Sequence, residues 1–339
     1  MKIFSFIQPL ILIIITVALT ACNKSPQYSK ISGPTMGTQF SVTYQSDSID
    51  SEKVKQQIQA ELNDINQLMS TYIADSEINR FNSLDNNQCF KFSDKTWQVL
   101  LAANDVYHQT NGAFDITLGP LISRWGFNAE EYQQKVPSSE EISQLLSQVG
   151  TDKLKFNFAQ QCIQKSAPNI SINLSAIAKG YAVDQISNLL SDLGISNYLV
   201  DIGGESKSLG VNPTGATWRI AIEKPIDLQR QQAVTVSLNN TSIATSGDYR
   251  NYFVANGKRF SHTIDPATGF PITHNLASIS VIFPSNMYAD AYATAMTVMG
   301  SKRALAFAQQ QQIPVFIITR DGQKLSTQSN QWFDKYISQ

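Results

Sequence analysis

Asn173-Leu174-Ser175-Ala176-Ile177-Ala178-Lys179-Gly180-Tyr181-Ala182 joins an apolar extended stretch to a helical pattern without a spacer. Ile170 to Leu174 reads as a strand, and Ala176 to Leu193 as a helix closed by Gly194. A helix start offers unpaired N–H groups to a phosphate, and Lys179 adds a point charge beside them. Taken alone, Ser175 is simply the cap of that helix. Working outward, the elements on either side do not alternate strictly. Towards the N-terminus, Phe40–Tyr44 reads as a strand. Val54, Ile58, Leu62, Ile65 and Leu68 recur at helical spacing, with Ser51 as cap. A second helix fits Asp94–Gln109. Ser138 and Glu141 form a capping box for a third, and Leu154–Phe158 fits a strand. Towards the C-terminus, strands fit Tyr198–Ile202, Trp218–Glu223, Val234–Leu238, Tyr252–Ala255 and Ser278–Phe283. Helices fit Asn286–Met299 and Lys302–Gln311, and turns fit Asn256-Gly257 and Asp321-Gly322. This mixture specifies an α+β (mixed α/β) fold, with mixed sheets flanked by helices. Its weakest join lies around Gly194–Asn212, where two subdomains would meet.

Residues 1–21 carry one charge, Lys2, followed by an apolar run that Gln8-Pro9 interrupts. This describes a secretory signal rather than a membrane span. Leu19-Thr20-Ala21-Cys22 resembles the lipobox of bacterial lipoproteins, which makes Cys22 the expected lipidation site and mature N-terminus. Residues 22–32 then serve as a tether, and 33–339 as the catalytic domain. With 26 basic and 27 acidic residues and no block of like charge, nucleic acid is not an expected partner. Cys89 and Cys162 lie in no metal-binding spacing, and a disulfide or two buried thiols are both open.

GxGxxG, GxxxxGK[ST], GxSxG and HExxH are absent, which removes a Rossmann site, a P-loop and the common hydrolase triads. What remains is a set of polar, glycine-punctuated stretches at element ends. Gly33-Pro34-Thr35-Met36-Gly37-Thr38 allows close approach of backbone to a ligand, or forms a plain turn before the first strand. Ser70-Thr71-Tyr72 through Asn82 follows a helix. In Thr110-Asn111-Gly112-Ala113-Phe114-Asp115, an Asp after an exposed Phe suits a stacked heteroaromatic ligand. Asp201-Ile202-Gly203-Gly204-Glu205 is a strand end running into two glycines. Ser261-His262-Thr263-Ile264-Asp265-Pro266-Ala267-Thr268-Gly269 combines turn chemistry with the best general-base candidate among three histidines. His108 reads as a surface residue, and His274 has little support. Asp290 and Thr294 are four apart and share a helix side, a carboxylate and a hydroxyl suited to magnesium or to an ordinary helix start.

Together, in this order, these stretches resemble the FAD:protein FMN transferase family, the ApbE-type flavin transferases, from Gly33 to at least Gly300. The resemblance implies that family's fold. It also implies Mg²⁺-dependent transfer of FMN from FAD to a Thr or Ser of acceptor proteins, releasing AMP. Met36, Tyr72, Ala113, Phe114, Asp115, Asn173, Lys179 and Ile264 would contact FAD. Asn173 is a departure, since Asp is frequent there. Asp290, Thr294, Ala176 and Ala293 would hold the metal, and His262 would take the acceptor proton. Acceptors would be membrane redox-complex subunits carrying a flavinylation motif. The enzyme would sit on the periplasmic side of the inner membrane, anchored in the bilayer through Cys22, with the outer membrane left open. Two alternatives use the same residues: an FAD pyrophosphatase releasing FMN and AMP, and a flavin-binding lipoprotein without turnover. Thr214-Gly215-Ala216-Thr217 resembles an acceptor sequence but reads as a turn between strands.

Overall fold

A computed structural model describes residues 26–338, apart from 48, 86–87, 128–135, 227–230, 249–251 and 256. Residues 1–21, Cys22, the Tyr249-Arg250-Asn251 stretch and Asn256 lie outside the described residues. The fold is α+β. The chain enters as a hairpin, β1 (Tyr28–Thr35) and β2 (Thr38–Gln45), turning through Met36 and Gly37 at φ 47° and 70°. The end of the expected tether is therefore already strand from Tyr28 onward. Helix α1 (Ser51–Met69) buries Val54, Ile58, Leu62, Ile65 and Met69. Its cap is Asp50, which accepts from the Glu52 N–H, rather than Ser51.

There follow α2 (Glu77–Asn82), β3 (Phe90–Lys91), α3 (Asp94–Gln109), α4 (Gly119–Arg124), α5 (Ser139–Leu146), β4 (Leu154–Asn157) and β5 (Cys162–Lys165). The Ser138–Glu141 capping box is present on α5. Cys89 and Cys162 form a disulfide that closes this region. Residues 170–174 are not a ladder strand. The Asn82 side chain takes the place of a neighbouring strand, donating to the Ile172 carbonyl at 2.9 Å and accepting from its N–H at 2.7 Å.

The second half contains α6 (Ala178–Asp192), β6 (Tyr198–Ile202), β7 (Glu205–Leu209), β8 (Trp218–Glu223), β9 (Gln232–Leu238) and β10 (Ser242–Gly247). After these come β11 (Tyr252–Ala255), β12 (Lys258–Ser261), β13 (Leu276–Phe283), α7 (Asn286–Gln311), β14 (Val315–Asp321), β15 (Lys324–Ser329) and α8 (Gln331–Asp334). The two expected C-terminal helices are the arms of α7, separated at Gly300, whose φ of 75° is not helical.

Eight strands form one sheet in the order β1-β2-β6-β7-β10-β13-β14-β15, and its pairings are all antiparallel, so the expected mixed sheets are antiparallel ones. Residues 194–212 supply its β6–β7 hairpin, which has strand partners on both sides. One face packs Phe40, Val42, Val200 and Ile202 into the core that α1, α6 and α7 share. On the opposite face, Ile243, Ile282, Phe316 and Ile318 lie under the β8–β9 hairpin and α8. The remainder of that face is polar. Thr214 sits in an exposed turn whose Asn212 side chain accepts from the Thr214 and Ala216 N–H groups.

Helices α6 and α7 touch at Gly180. A Cβ there would lie 2.3 Å from the Asn286 carbonyl and 2.8 Å from the Asp290 Cβ. One turn on, Asp184 caps α7 from outside, accepting from Ser285 Oγ at 2.7 Å and from the Asn286 and Met287 N–H groups at 3.0 Å each. Gly180→Ala is expected to destabilise the protein by about 2–3 kcal/mol through overpacking, read as a fall in the urea midpoint. Replacing both Cys89 and Cys162 by Ser frees a loop of 73 residues and should cost about 4 kcal/mol. The same loss on adding reductant to the wild type, and none in the double variant, checks that assignment.

Candidate active site

A cavity of about 990 Å³ opens where the start of α6, the first arm of α7, the ends of β6 and β7, and the loop after β12 converge. Tyr72, Ala113, Phe114, Asp115, Asn173, Ala176, Lys179, His262, Ile264, Asp290 and Thr294 all line it. Met36 and Ala293 do not. Met36 sits at the β1–β2 turn and packs against the helical core. Ala293 is fully buried, and its carbonyl accepts from Thr297 Oγ1 at 2.8 Å.

The α6 start is not capped by Ser175. The cap position is Ile177, which has no side-chain bond to offer, while Asn173 Oδ1 accepts from the Ser175 N–H at 2.9 Å. Asp290 Oδ2 reaches back to this helix end and accepts from the Gly180 N–H at 3.0 Å. Lys179 pairs with Glu205, whose Oε2 has no hydrogen-bond partner. Burial pushes the carboxyls of both Glu205 and Asp290 above the usual range, and Lys179 pulls them back only in part. With two buried carboxyls beside one ammonium, the ionised forms are disfavoured, and a further cation in the cavity would restore them. The cavity's oxygen donors for a hard cation are Asp290, Thr294 and Ala176. Among the described residues, no cluster of three or more His, Cys, Asp or Glu side chains forms a metal cage.

Phe114 is buried rather than exposed, with 2% of its surface accessible, so it is a floor and not a stacking platform. Tyr72, 66% exposed at the mouth, is the ring with room to stack. Asp115 spends its carboxylate internally. It accepts from the Thr117 N–H (2.7 Å) and Oγ1 (2.6 Å) and from the Thr151 Oγ1 (2.9 Å) and N–H (3.2 Å). It therefore ties residues 115–117 to Thr151 more than it offers a ligand contact.

His262 is half-buried, its ring edge-on to Phe127 at 6.4 Å between centroids. The turn after it is clamped. Ile264 bridges to Pro271, the Gly269 N–H donates to the Asp265 carbonyl at 2.8 Å, and Trp125 Nε1 donates to the Gly269 carbonyl at 2.8 Å. His108 is exposed and His274 lies under the α7 kink at Gly300, both away from the cavity.

Residues 36–317 match the ApbE family. The chain belongs to that family. It is 40% identical over 336 residues to the FAD:protein FMN transferase of Haemophilus influenzae, with 97% of each chain covered. It is 36% identical to that of Escherichia coli K12, with 93% of each covered. The solved flavin transferase ApbE from Vibrio cholerae superposes with a TM-score of 0.84 at 37% identity, covering 92% of this chain and 99% of its own. The apo form of the flavinyl transferase ApbE from Pseudomonas stutzeri gives 0.84 at 37%, covering 92% and 97%.

Motif reading alone missed Lys30, Ser32, Gln39 and Ser41 on the polar sheet face, and Ile220–Glu223 of β8, all of which line the cavity. The alternation in β2 carried that signal: Phe40 and Val42 point to the core, leaving Gln39 and Ser41 outward. Asp115→Asn, which puts an NH₂ among four donors, should cost about 2–3 kcal/mol of stability and weaken FAD binding together, measured by thermal melts and flavin fluorescence titration.

Proposed function

We propose that this chain transfers the FMN half of FAD to a Thr or Ser hydroxyl of acceptor proteins, releasing AMP, with Mg²⁺ as cofactor. The observation that carries this reading is the convergence of His262, Lys179, Asp290 and Thr294 on one cavity large enough for a dinucleotide, in a chain of the ApbE family. The names of its relatives point to the same chemistry.

Magnesium suits the donor set: hard oxygens and one carboxylate, in a pocket where a divalent ion would favour the ionised forms of Asp290 and Glu205. Asp290 and the Thr294 hydroxyl would hold it, with the Ala176 carbonyl; Ala293 does not suit this role. Bound there, the ion would neutralise the pyrophosphate and stabilise charge on the transferring phosphoryl group. The protein's own residues do the rest. Lys179 sets a positive charge at the α6 start, where phosphate oxygens are favoured. His262, held by its clamped turn, takes the proton of the acceptor hydroxyl. The acceptor Oγ–P bond forms as the P–O bond to AMP breaks, and AMP leaves with the bridging oxygen.

Further parts of the proposal concern place and partner. Diacylation of Cys22 would anchor the enzyme on the periplasmic side of the inner membrane, where membrane redox subunits bearing a flavinylation motif would be acceptors. The Cys89–Cys162 disulfide fits an oxidising compartment.

The test is incubation of the protein with FAD, Mg²⁺ and such a redox-subunit domain, followed by mass spectrometry. The expected result is one FMN added to the domain with AMP released, and none after EDTA. His262→Ala should slow transfer by about 10²–10⁴-fold. Free FMN and AMP with an unmodified domain would instead identify a hydrolase.

A further inference from the structure

Helix α2 contributes no residue to the cavity wall, yet it holds two of the segments that do. Asn79 Nδ2 donates to the Thr71 carbonyl at 3.0 Å and to the Ile73 carbonyl at 2.8 Å, the residues on either side of Tyr72. Asn82 holds both backbone groups of Ile172, the residue before Asn173. Its two bonds are made together only with the oxygen towards the N–H, so the orientation of the amide is set. Asn79 and Asn82 are three residues apart and leave the same side of the helix. One short helix thus grips the backbone beside the exposed ring of Tyr72 and, a turn later, the backbone beside Asn173.

The helix is itself fastened at both ends. At its start, the buried Glu77 accepts from the Ser93 N–H and Oγ at 2.8 Å each. At its end, the buried Lys165 Nζ donates to the Asn82 carbonyl at 2.8 Å and the Leu84 carbonyl at 2.9 Å, and lies 4.9 Å from the centre of the Phe81 ring. Ile78 and Phe81 sink into the main core between these ties. Neither 71–73 nor 170–174 lies in a helix or a strand, so side-chain bonds of this kind carry much of their ordering. Past Ile172, the Asn173 N–H donates to the Ile116 carbonyl at 2.8 Å, which refers the Ala113–Asp115 wall to the same segment.

We propose that Asn79 and Asn82 are positioning residues for the transfer, fixing Tyr72 and Asn173 relative to one another before FAD arrives. This rests on the reading of the cavity as the FAD site. A wall that is ordered in advance spares the ligand the entropy of ordering it, so losing the clamp weakens binding more than it slows the chemical step. His262, Asp290 and Thr294 stand on other elements and keep their places. The stretch Ser76–Asn82 thereby gains a use that its distance from the ligand conceals.

The experiment measures FAD affinity and turnover of the whole protein with Mg²⁺ in Asn79→Ala and Asn82→Ala. Each should raise the Kd for FAD about tenfold, the worth of one or two hydrogen bonds, with kcat at saturating FAD kept within about twofold. Asn330 clamps the backbone of Ile313 and Val315 in the same manner outside the cavity, so Asn330→Ala should lower the urea midpoint and leave the Kd unchanged. Where an Ala variant fails to fold, the isosteric Asp takes its place: Asn79→Asp loses both donated bonds and Asn82→Asp one. Hydrogen–deuterium exchange on the wild type needs no variant. FAD should slow the amides of 77–83 along with those of 71–73 and 172–175, because coupling between clamp and ligand is reciprocal. Folded variants that bind FAD as tightly as the wild type overturn the proposal, and so does protection of 71–73 and 172–175 with none at 77–83. If the wild type binds no FAD, the reading of the cavity has failed, and the clamp falls with it.

Discussion

The contact between α6 and α7 at Gly180 is the constraint on which the site depends. Because no Cβ stands between the helices, Asp290 can reach the Gly180 N–H, and the Asn286 carbonyl can pass within van der Waals distance of the backbone. Asp184, one turn further, supplies the cap that Ser285 does not give to its own helix, and Lys207 balances its charge at 2.7 Å. One helix thus positions the start of the other. The carboxylate and hydroxyl of α7 face the cavity at a fixed height relative to Lys179 for this reason. A modest shift between the helices would separate Asp290 and Thr294 from Lys179 and from the phosphate-facing helix end.

The second element, His262, is positioned independently. It belongs to a small aromatic and aliphatic cluster around Trp125, Phe127, Phe253 and Ile264, outside the main core. Trp125 bonds the turn after His262, and Gly269 in that turn leaves room for Ile142 and Leu146 of α5. The site is therefore a junction between a rigid helix pair and a separately packed loop. Phosphoryl transfer rewards such an arrangement, since its catalysis is mostly placement of charge and of the attacking oxygen.

Much of this was legible in the sequence where periodicity is strong. The stripe Val54, Ile58, Leu62, Ile65 set α1, and Asp94–Gln109 is helix to the residue. The polar motifs met in one cavity because each lies at an element end, where backbone groups and polar side chains face outward. The failures have local causes. Strands β7 (Glu-Ser-Lys-Ser-Leu) and β10 (Ser-Ile-Ala-Thr-Ser-Gly) carry one large apolar residue each, so their place in mid-sheet leaves a weak pattern. Residues 170–174 have a strand's alternation but take an asparagine side chain as their neighbour. Phe114 looked like a ligand platform because it follows Asn-Gly-Ala, yet its ring is what anchors that turn in the core. The β8 wall was invisible to motif reading, since Ile220–Glu223 carries only the pattern of an ordinary strand.

The strand order has a kinetic meaning. Phe40 of β2 pairs with Ile202 of β6, and Ser206 of β7 with Ile243 of β10, so the central ladder joins segments far apart in the chain. Contacts of that range form late and slowly. Cavity walls come from β1 near one end of the chain and from α7 near the other. A partly made or still unfolded chain therefore has no pocket in which to hold a dinucleotide. For a protein exported as proposed above, the flavin pool on the side of synthesis would be safe from it. Activity would begin only where folding can finish.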